Sequence, residues 1–452
     1  MLTRRRALFT LTGSVFLLSG CRLPGRLTGG EKTRDATDMQ ADVKRFIDRR
    51  NAALRSGDEN AWLAGVDTSN AALVAVQKLQ FANLRKFQWE TLQLSSGPSD
   101  GPLVAKAQRY ARTLPQDADG FKVRLVSKLA GVDRDSSASD YIYLFAMVNG
   151  QYTMVDVGPV TDDYGLTFDA PWELTRLTVA KKGDVVLATD GSVPDFDAYA
   201  KVAARASAEV RRDWMGNAAP AGFALFLTGR PASYKKWFGA GTPTWSEGVE
   251  IPLLGANADK VTVTGHYAGS RMVVNMKSAL KSDNPLLVMK HEMTHAISTA
   301  VQEVDIELGP VNGDKSKSLS LSAPRWAVEG FARYIEVRGT PAAGDRWVIR
   351  DGLAKGLLRA DLPNNEHFYD EKYRSFNYSL GWSLFQFIAE AKGHATAVKV
   401  YVGLVTRPSF GNMQGSDALF DTLYRLKLQR EPFVSTSGSL FWQQWTAYLR
   451  RM

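Results

Sequence analysis

Residues 291–295 read His-Glu-Met-Thr-His, and two imidazoles four positions apart with a carboxylate between them form the donor set a catalytic zinc ion needs. On an α-helix of about 3.6 residues per turn, His291 and His295 lie one above the other and both rings reach a single ion, with Glu292 beside them. A carboxylate in that place can take a proton from water while the ion polarises a scissile carbonyl. Ordinary core or surface helices also produce this spacing. Economy favours the metal, because the chain has only five histidines and two of them fall in this pentapeptide.

Hydrolytic zinc sites take three protein ligands and leave a further position open, so a third ligand is required. Downstream, Pro324 to Tyr334 reads as a helix with proline in its first turn. Its Trp326-x-x-Glu329-Gly330-Phe331-Ala332 segment, following H-E-x-x-H, resembles the gluzincin metallopeptidases. The long gap between the two motifs is more similar to the bacterial peptidase MA-like group than to the aminopeptidase branch. This resemblance implies that Glu329 is the third zinc ligand. It extends to Tyr378-Ser379-Leu380-Gly381, where gluzincin aminopeptidases place a tyrosine that stabilises the oxyanion. Tyr378 is then either that donor or a packing aromatic at the start of an apolar helix. Aminopeptidases of the clan also carry G-x-M-E-N ahead of the zinc helix. Gly269 to Asn275 has no such glutamate, so the implied activity is endopeptidase rather than aminopeptidase. In the resembled fold the strand at Arg271 to Met276 is the sheet edge along which an extended substrate lies, adding as a strand.

Other candidates read less chemically. Glu336, seven residues after Glu329, is taken as solvated, with orientation of a ligand as the alternative. His266, His367 and His394 lack metal-ligand spacing and read as structural or surface residues. The polar stretch Pro363 to His367 reads as a loop able to cover a cleft.

The start of the chain addresses its place of work. Arg4, Arg5 and Arg6 precede an apolar run from Ala7 to Leu18, too short for a membrane span, ending in Leu18-Ser19-Gly20-Cys21. This resembles a bacterial lipoprotein signal peptide (residues 1–20) with its lipobox, which implies lipidation of Cys21 and a membrane-anchored, extracytoplasmic protein. Arg5-Arg6 also has twin-arginine character, so the export route stays open. As the single cysteine, Cys21 has no internal disulfide partner. Residues 21–38 are Gly-rich, polar and charged, and read as a flexible tether.

The positioning elements follow from length and periodicity. A chain of 452 residues with 44% hydrophobic content allows about two folded domains. Val43, Phe46, Ile47 and Leu54 recur at helical spacing, with a break at Gly57-Asp58; beyond Leu84 the period becomes two. Asn149-Gly150 joins two strands, and Lys181-Lys182-Gly183 centres a second hairpin over Glu173 to Ala188. Helices followed by antiparallel strands predict an α+β roll over residues 39–191, similar in order to nuclear transport factor 2-like domains and read as a spacer rather than a ligand pocket. Past a boundary at Gly191 to Asp195, a helix is predicted over Asp197 to Met215, then strands at Phe223 to Thr228, Lys260 to His266 and Arg271 to Met276, then the zinc helix and a helical C-terminal part.

The expectation is therefore an α+β lipoprotein whose residues 195–452 form a gluzincin-like zinc metallopeptidase with a small mixed sheet. Its ligands are His291, His295 and Glu329, with Glu292 as general base. A silent relative that binds peptides or wall polymers is the alternative, as is a structural zinc. Peptide or protein substrate and the membrane are the expected partners. The net charge of +9 suits anionic wall polymers, and no basic run interleaves with stacking aromatics as nucleic-acid binding would require.

Overall fold

The computed structural model describes residues 36–96, 109–159, 169–215, 219–239, 246–256, 263–281, 284–301, 323–406, 416–430 and 439–452. The signal segment, Cys21 and the tether up to residue 35 lie outside these. The fold is α+β, with a curled mixed sheet and a helical C-terminal part. Among the described residues, no helix is long and apolar enough to cross a membrane.

The described residues begin with three helices: α1 (Ala36–Ser56), α2 (Glu59–Leu63) and α3 (Ala71–Leu84). Asp58 and Asn70 start the second and third by accepting from backbone N–H groups at Ala61 and Leu73, which would otherwise lack partners. Four antiparallel strands follow: β1 (Trp89–Ser96), β2 (Asp119–Leu129), β3 (Ser137–Val148) and β4 (Gln151–Pro159). Asn149 and Gly150 turn β3 into β4, both with positive φ, as the predicted hairpin demands. The second hairpin is shorter than expected, because Glu173 belongs to a small helix, α4 (Pro171–Leu174), and the strands are β5 (Thr178–Lys182) and β6 (Val185–Thr189).

Next come α5 (Phe196–Trp214), β7 (Phe223–Thr228), α6 (Pro231–Lys236), β8 (Gly248–Ala256) and β9 (Val263–Asn275). The strands expected separately at Lys260 to His266 and Arg271 to Met276 are thus one long strand in its described part. The helical part comprises α7 (Met276–Ala279), α8 (Pro285–Val301), α9 (Arg325–Val337), α10 (Ala343–Ala354), α11 (Arg374–Lys392), α12 (His394–Val405), α13 (Ser416–Arg425) and α14 (Leu440–Arg451).

Among the described residues, nine strands join one sheet in the order β1-β2-β3-β8-β9-β7-β6-β5, with β4 on β3. The sheet crosses the boundary expected at Gly191 to Asp195, since β6 pairs in parallel with β7. Strand alternation gives it two apolar faces. Val185, Leu187, Leu225, Leu227, Met272 and Val274 point into the helical core with Met289, Trp326 and Phe385. Val186, Ala188, Ala224, Phe226 and Val273 point the other way, into a core with Phe46, Phe87, Trp172 and Trp237. Residues 39–191 are therefore packed against the back of the C-terminal sheet and are no detached spacer.

Candidate metal centre

Helix α8 buries Met289, Met293, Ala296 and Ile297 in the helical core. Its adjoining face turns His291 and His295 toward α9, with ring centroids 4.6 Å apart. Glu292, 5% exposed, turns instead toward β8. There Gly248 makes room for it: a Cβ at this glycine would stand 2.5 Å from Glu292 Oε1. Lys290, buried behind the motif, is held at 3.2 Å by Glu209 of α5 and anchors the helix from the rear.

Helix α9 carries Glu329 and α11 carries Tyr378. These helices touch backbone to backbone at Gly330 and Gly381, where a Cβ on either would overlap the other helix. Both glycines lie inside the two sequence motifs, so the motifs encode the helix contact as well as the ligand.

Glu329 Oε2 lies 3.3 Å from His291 Nε2 and 3.4 Å from His295 Nε2. One ligand atom from each residue falls within 4.8 Å of the other two. Ligand bonds of about 2.0–2.1 Å in a tetrahedron set donor atoms about 3.3 Å apart, the separation at which Glu329 Oε2 stands from each imidazole, so the trio is a candidate site for a metal ion such as zinc. The electrostatics agree. Burial would lower the His291 imidazole, but hydrogen bonds to Glu329 and Glu336 outweigh it and push it up to about 10. Burial would raise Glu329, yet His295 and His291 hold it well below the usual carboxylate range. The cluster therefore stabilises positive charge at this point.

A surrounding layer holds each ligand. Glu336 is 7% exposed, not solvated as expected, and its Oε2 meets His291 Nδ1 at 3.0 Å. This leaves Nε2 for the metal position. Arg333 bonds Glu336 and, at 2.9 Å, Asp345 of α10, which accepts from Ser379 of α11 at 2.9 Å. Tyr369 donates to Glu329 Oε1 at 2.5 Å, fixing the carboxylate so that Oε2 faces the histidines. Tyr378 lies 6.4 Å from the His291 ring and 6.3 Å from Tyr369, centroid to centroid. Its phenol is raised well above its ordinary value by burial and by Glu329, so it remains a proton donor.

The strand expected at the sheet edge is not an edge strand. The strand holding Arg271 is internal, bonded to β8 on one side and β7 on the other. Among the described residues, the stretch of β8 before Gly255 pairs with no strand on its outer side, and β3 joins it at Ser137–Gly255. Glu250 of β8 faces α8, accepting from Ser270 and, at 3.4 Å, from Thr299. Burial raises its carboxyl, against the pull of Ser270 and His295. Burial likewise pushes Glu292 up to about 7.

The structure thus gathers His291, His295, Glu329, Glu292 and Tyr378, and adds Tyr369, Glu336 and Glu250. His394 ties α12 to Tyr334 at 2.8 Å and to the Asp213 carbonyl at 2.5 Å; His367 is half-exposed beside Asp370, and His266 is exposed. Asn365, in the loop expected to cover a cleft, instead accepts from the backbone N–H of Arg325 at 2.7 Å and steadies the start of α9.

No family model matches the chain, and no curated protein does. Among solved structures it is similar to an M1 zinc metallopeptidase from Deinococcus radiodurans, with 14% identity, a TM-score of 0.32, and coverage of 80% of this chain and 71% of that chain.

Proposed function

We propose that this chain is a zinc-dependent peptidase of gluzincin type, an endopeptidase rather than an aminopeptidase, acting outside the cytoplasmic membrane as a lipoprotein anchored through Cys21. One observation carries the reading: His291, His295 and Glu329 converge at zinc-ligand spacing while Glu292 stands between them and an open strand edge. Bound there, zinc would supply Lewis-acid activation of water and of a scissile carbonyl. Glu292, raised toward neutrality by burial, takes a proton from water and returns it to the leaving amine. Tyr378 presents its hydroxyl toward the developing oxyanion. The edge of β8 receives an extended peptide by strand addition. Glu250, the carboxylate on that edge, is engaged by Ser270 and Thr299, which supports an activity independent of gripping a free amine.

The test pairs zinc content with turnover of a peptide library. Glu329→Ala should lose zinc, whereas Glu292→Ala should keep near-stoichiometric zinc and lose hydrolysis. Undiminished turnover by the Glu292 variant would sink the mechanism.

A further inference from the structure

We propose that the substrate edge is short and closed on one side, so that the site cuts peptide chains only within about four to six residues of their N-terminus. This rests on the peptidase reading above and names its substrate class: unstructured N-terminal ends of polypeptides.

Hydrogen-bond parity decides which backbone groups of β8 face outward. In an antiparallel strand the N–H and C=O of one residue share a side, and successive residues alternate. Asn275 donates to the Glu247 carbonyl at 2.8 Å, and pairing with β9 then runs without a shift from Gly248–Val274 to Leu253–Gly269. Odd-numbered residues therefore face β9, and Gly248, Glu250 and Pro252 face the open edge. Two observations agree with this assignment. The Gly248 carbonyl accepts from Ser246 Oγ at 2.6 Å rather than from β9. Pro252, which has no N–H, sits at an outward position, where a sheet tolerates proline.

Counting what the edge offers sets its length. Gly248 provides an N–H, Glu250 provides both groups, and Pro252 provides only its carbonyl. Past Leu253 the register with β9 shifts twice, so the strand leaves its straight course. At Gly255 and Ala256 the edge is already occupied: Ser137 of β3 pairs with Gly255, and the Ala256 N–H donates to the Ser136 carbonyl at 2.8 Å. The straight open edge thus spans five steps, or about 17 Å, and ends against the N-terminal half of the molecule.

Orientation converts this into specificity. The catalytic carboxylate lies under Gly248, at the other end of the edge. A peptide pairing antiparallel to β8, the more favourable ladder, places residues N-terminal to the scissile bond opposite Glu250 and Pro252. Those residues run toward the closed end. Chain on the C-terminal side leaves past Gly248, where among the described residues no strand pairs with the edge.

The experiment measures binding of N-acetyl oligoalanyl hydroxamates, from one to about eight alanines, to the zinc-loaded mature protein by calorimetry. The hydroxamate occupies the metal and the peptide extends along the N-terminal side. Affinity should rise to about four residues and fall tenfold or more beyond about six. A rise or plateau maintained through the longest ligand overturns the closed edge. Affinity equal to that of acetohydroxamate at every length overturns the edge as a peptide site while leaving the zinc reading intact; failure of acetohydroxamate itself to bind zinc-loaded protein overturns both. Pro252→Ala, at an exposed position, supplies the missing donor and should tighten ligands of three or more residues about threefold, with the shortest unchanged. No change at any length would overturn the assigned parity.

Discussion

At the residue scale, the candidate metal trio depends on side chains that hold its members from behind. Tyr369 fixes the distal oxygen of Glu329, and Glu336 fixes the far nitrogen of His291. Tyr369→Phe keeps the ring in its packing and removes only the hydroxyl, so zinc affinity in chelator competition should weaken about 10- to 100-fold with the fold intact. Affinity equal to wild type would mean that the phenol merely fills space. That His291, His295 and Glu329 come together was legible because i, i+4 spacing on one helix and a short segment on the next are local patterns. Tyr369 was not, since 40 residues separate it from Glu329 and only folding of the loop before α11 brings them together. Glu336 was legible as to face but not as to burial. Its surroundings are set by Arg333 and Asp345, the latter from a helix that a reading of α9 alone does not see. Glu250 gave no local signal at all, because its meaning depends on which strand becomes the edge.

At the scale of elements, the site is assembled by close crossings. Gly330 and Gly381 let α9 and α11 meet without intervening side chains, and this sets how far Glu329 and Tyr378 stand from the zinc helix. Gly381→Ala would drive a methyl into the Trp326 carbonyl, a backbone atom that cannot swing aside. Unfolding in urea should show a loss of about 2 to 3 kcal/mol, accompanied by reduced zinc occupancy. Local pattern predicted α5, β7 and the β3–β4 hairpin to within a few residues. Strand β8 escaped although Val249, Ile251 and Leu253 alternate with Gly248, Glu250 and Pro252, because the proline reads against a strand unless that strand is already known to lie at an edge. With β8 unseen, the edge role fell by default to its neighbour.

At the scale of the whole molecule, burial of ionisable groups makes stability depend on pH in a direction set by the N-terminal half. Glu173 is buried beside Tyr141, which donates to it, and burial pushes its carboxyl up to about 8. The folded state therefore holds a proton that the unfolded state releases above about 4.5. Stability should fall as pH rises from about 5 to about 8 and flatten beyond, by an amount on the order of a few kcal/mol. Glu173→Gln should abolish most of that slope and be the more stable form at the alkaline end; an unchanged slope in thermal unfolding would show that other groups set it. Arg50 lies in the same core, within 4.6 Å of the Phe46 ring centroid and 4.1 Å of that of Trp62. The α+β class was legible from the order of periods along the chain, but not that both halves share one sheet, because pairing between β3 and β8 links residues more than 100 positions apart. That shared sheet has a practical outcome. A truncation at the boundary near Asp195 would strip the aromatic lining from Ala224, Phe226 and Val273 and leave a bare, sticky back wall behind the helices of the candidate metal site. The two halves fold and fail as one indivisible unit, so a nick in the first half should loosen the helices that carry the candidate metal site.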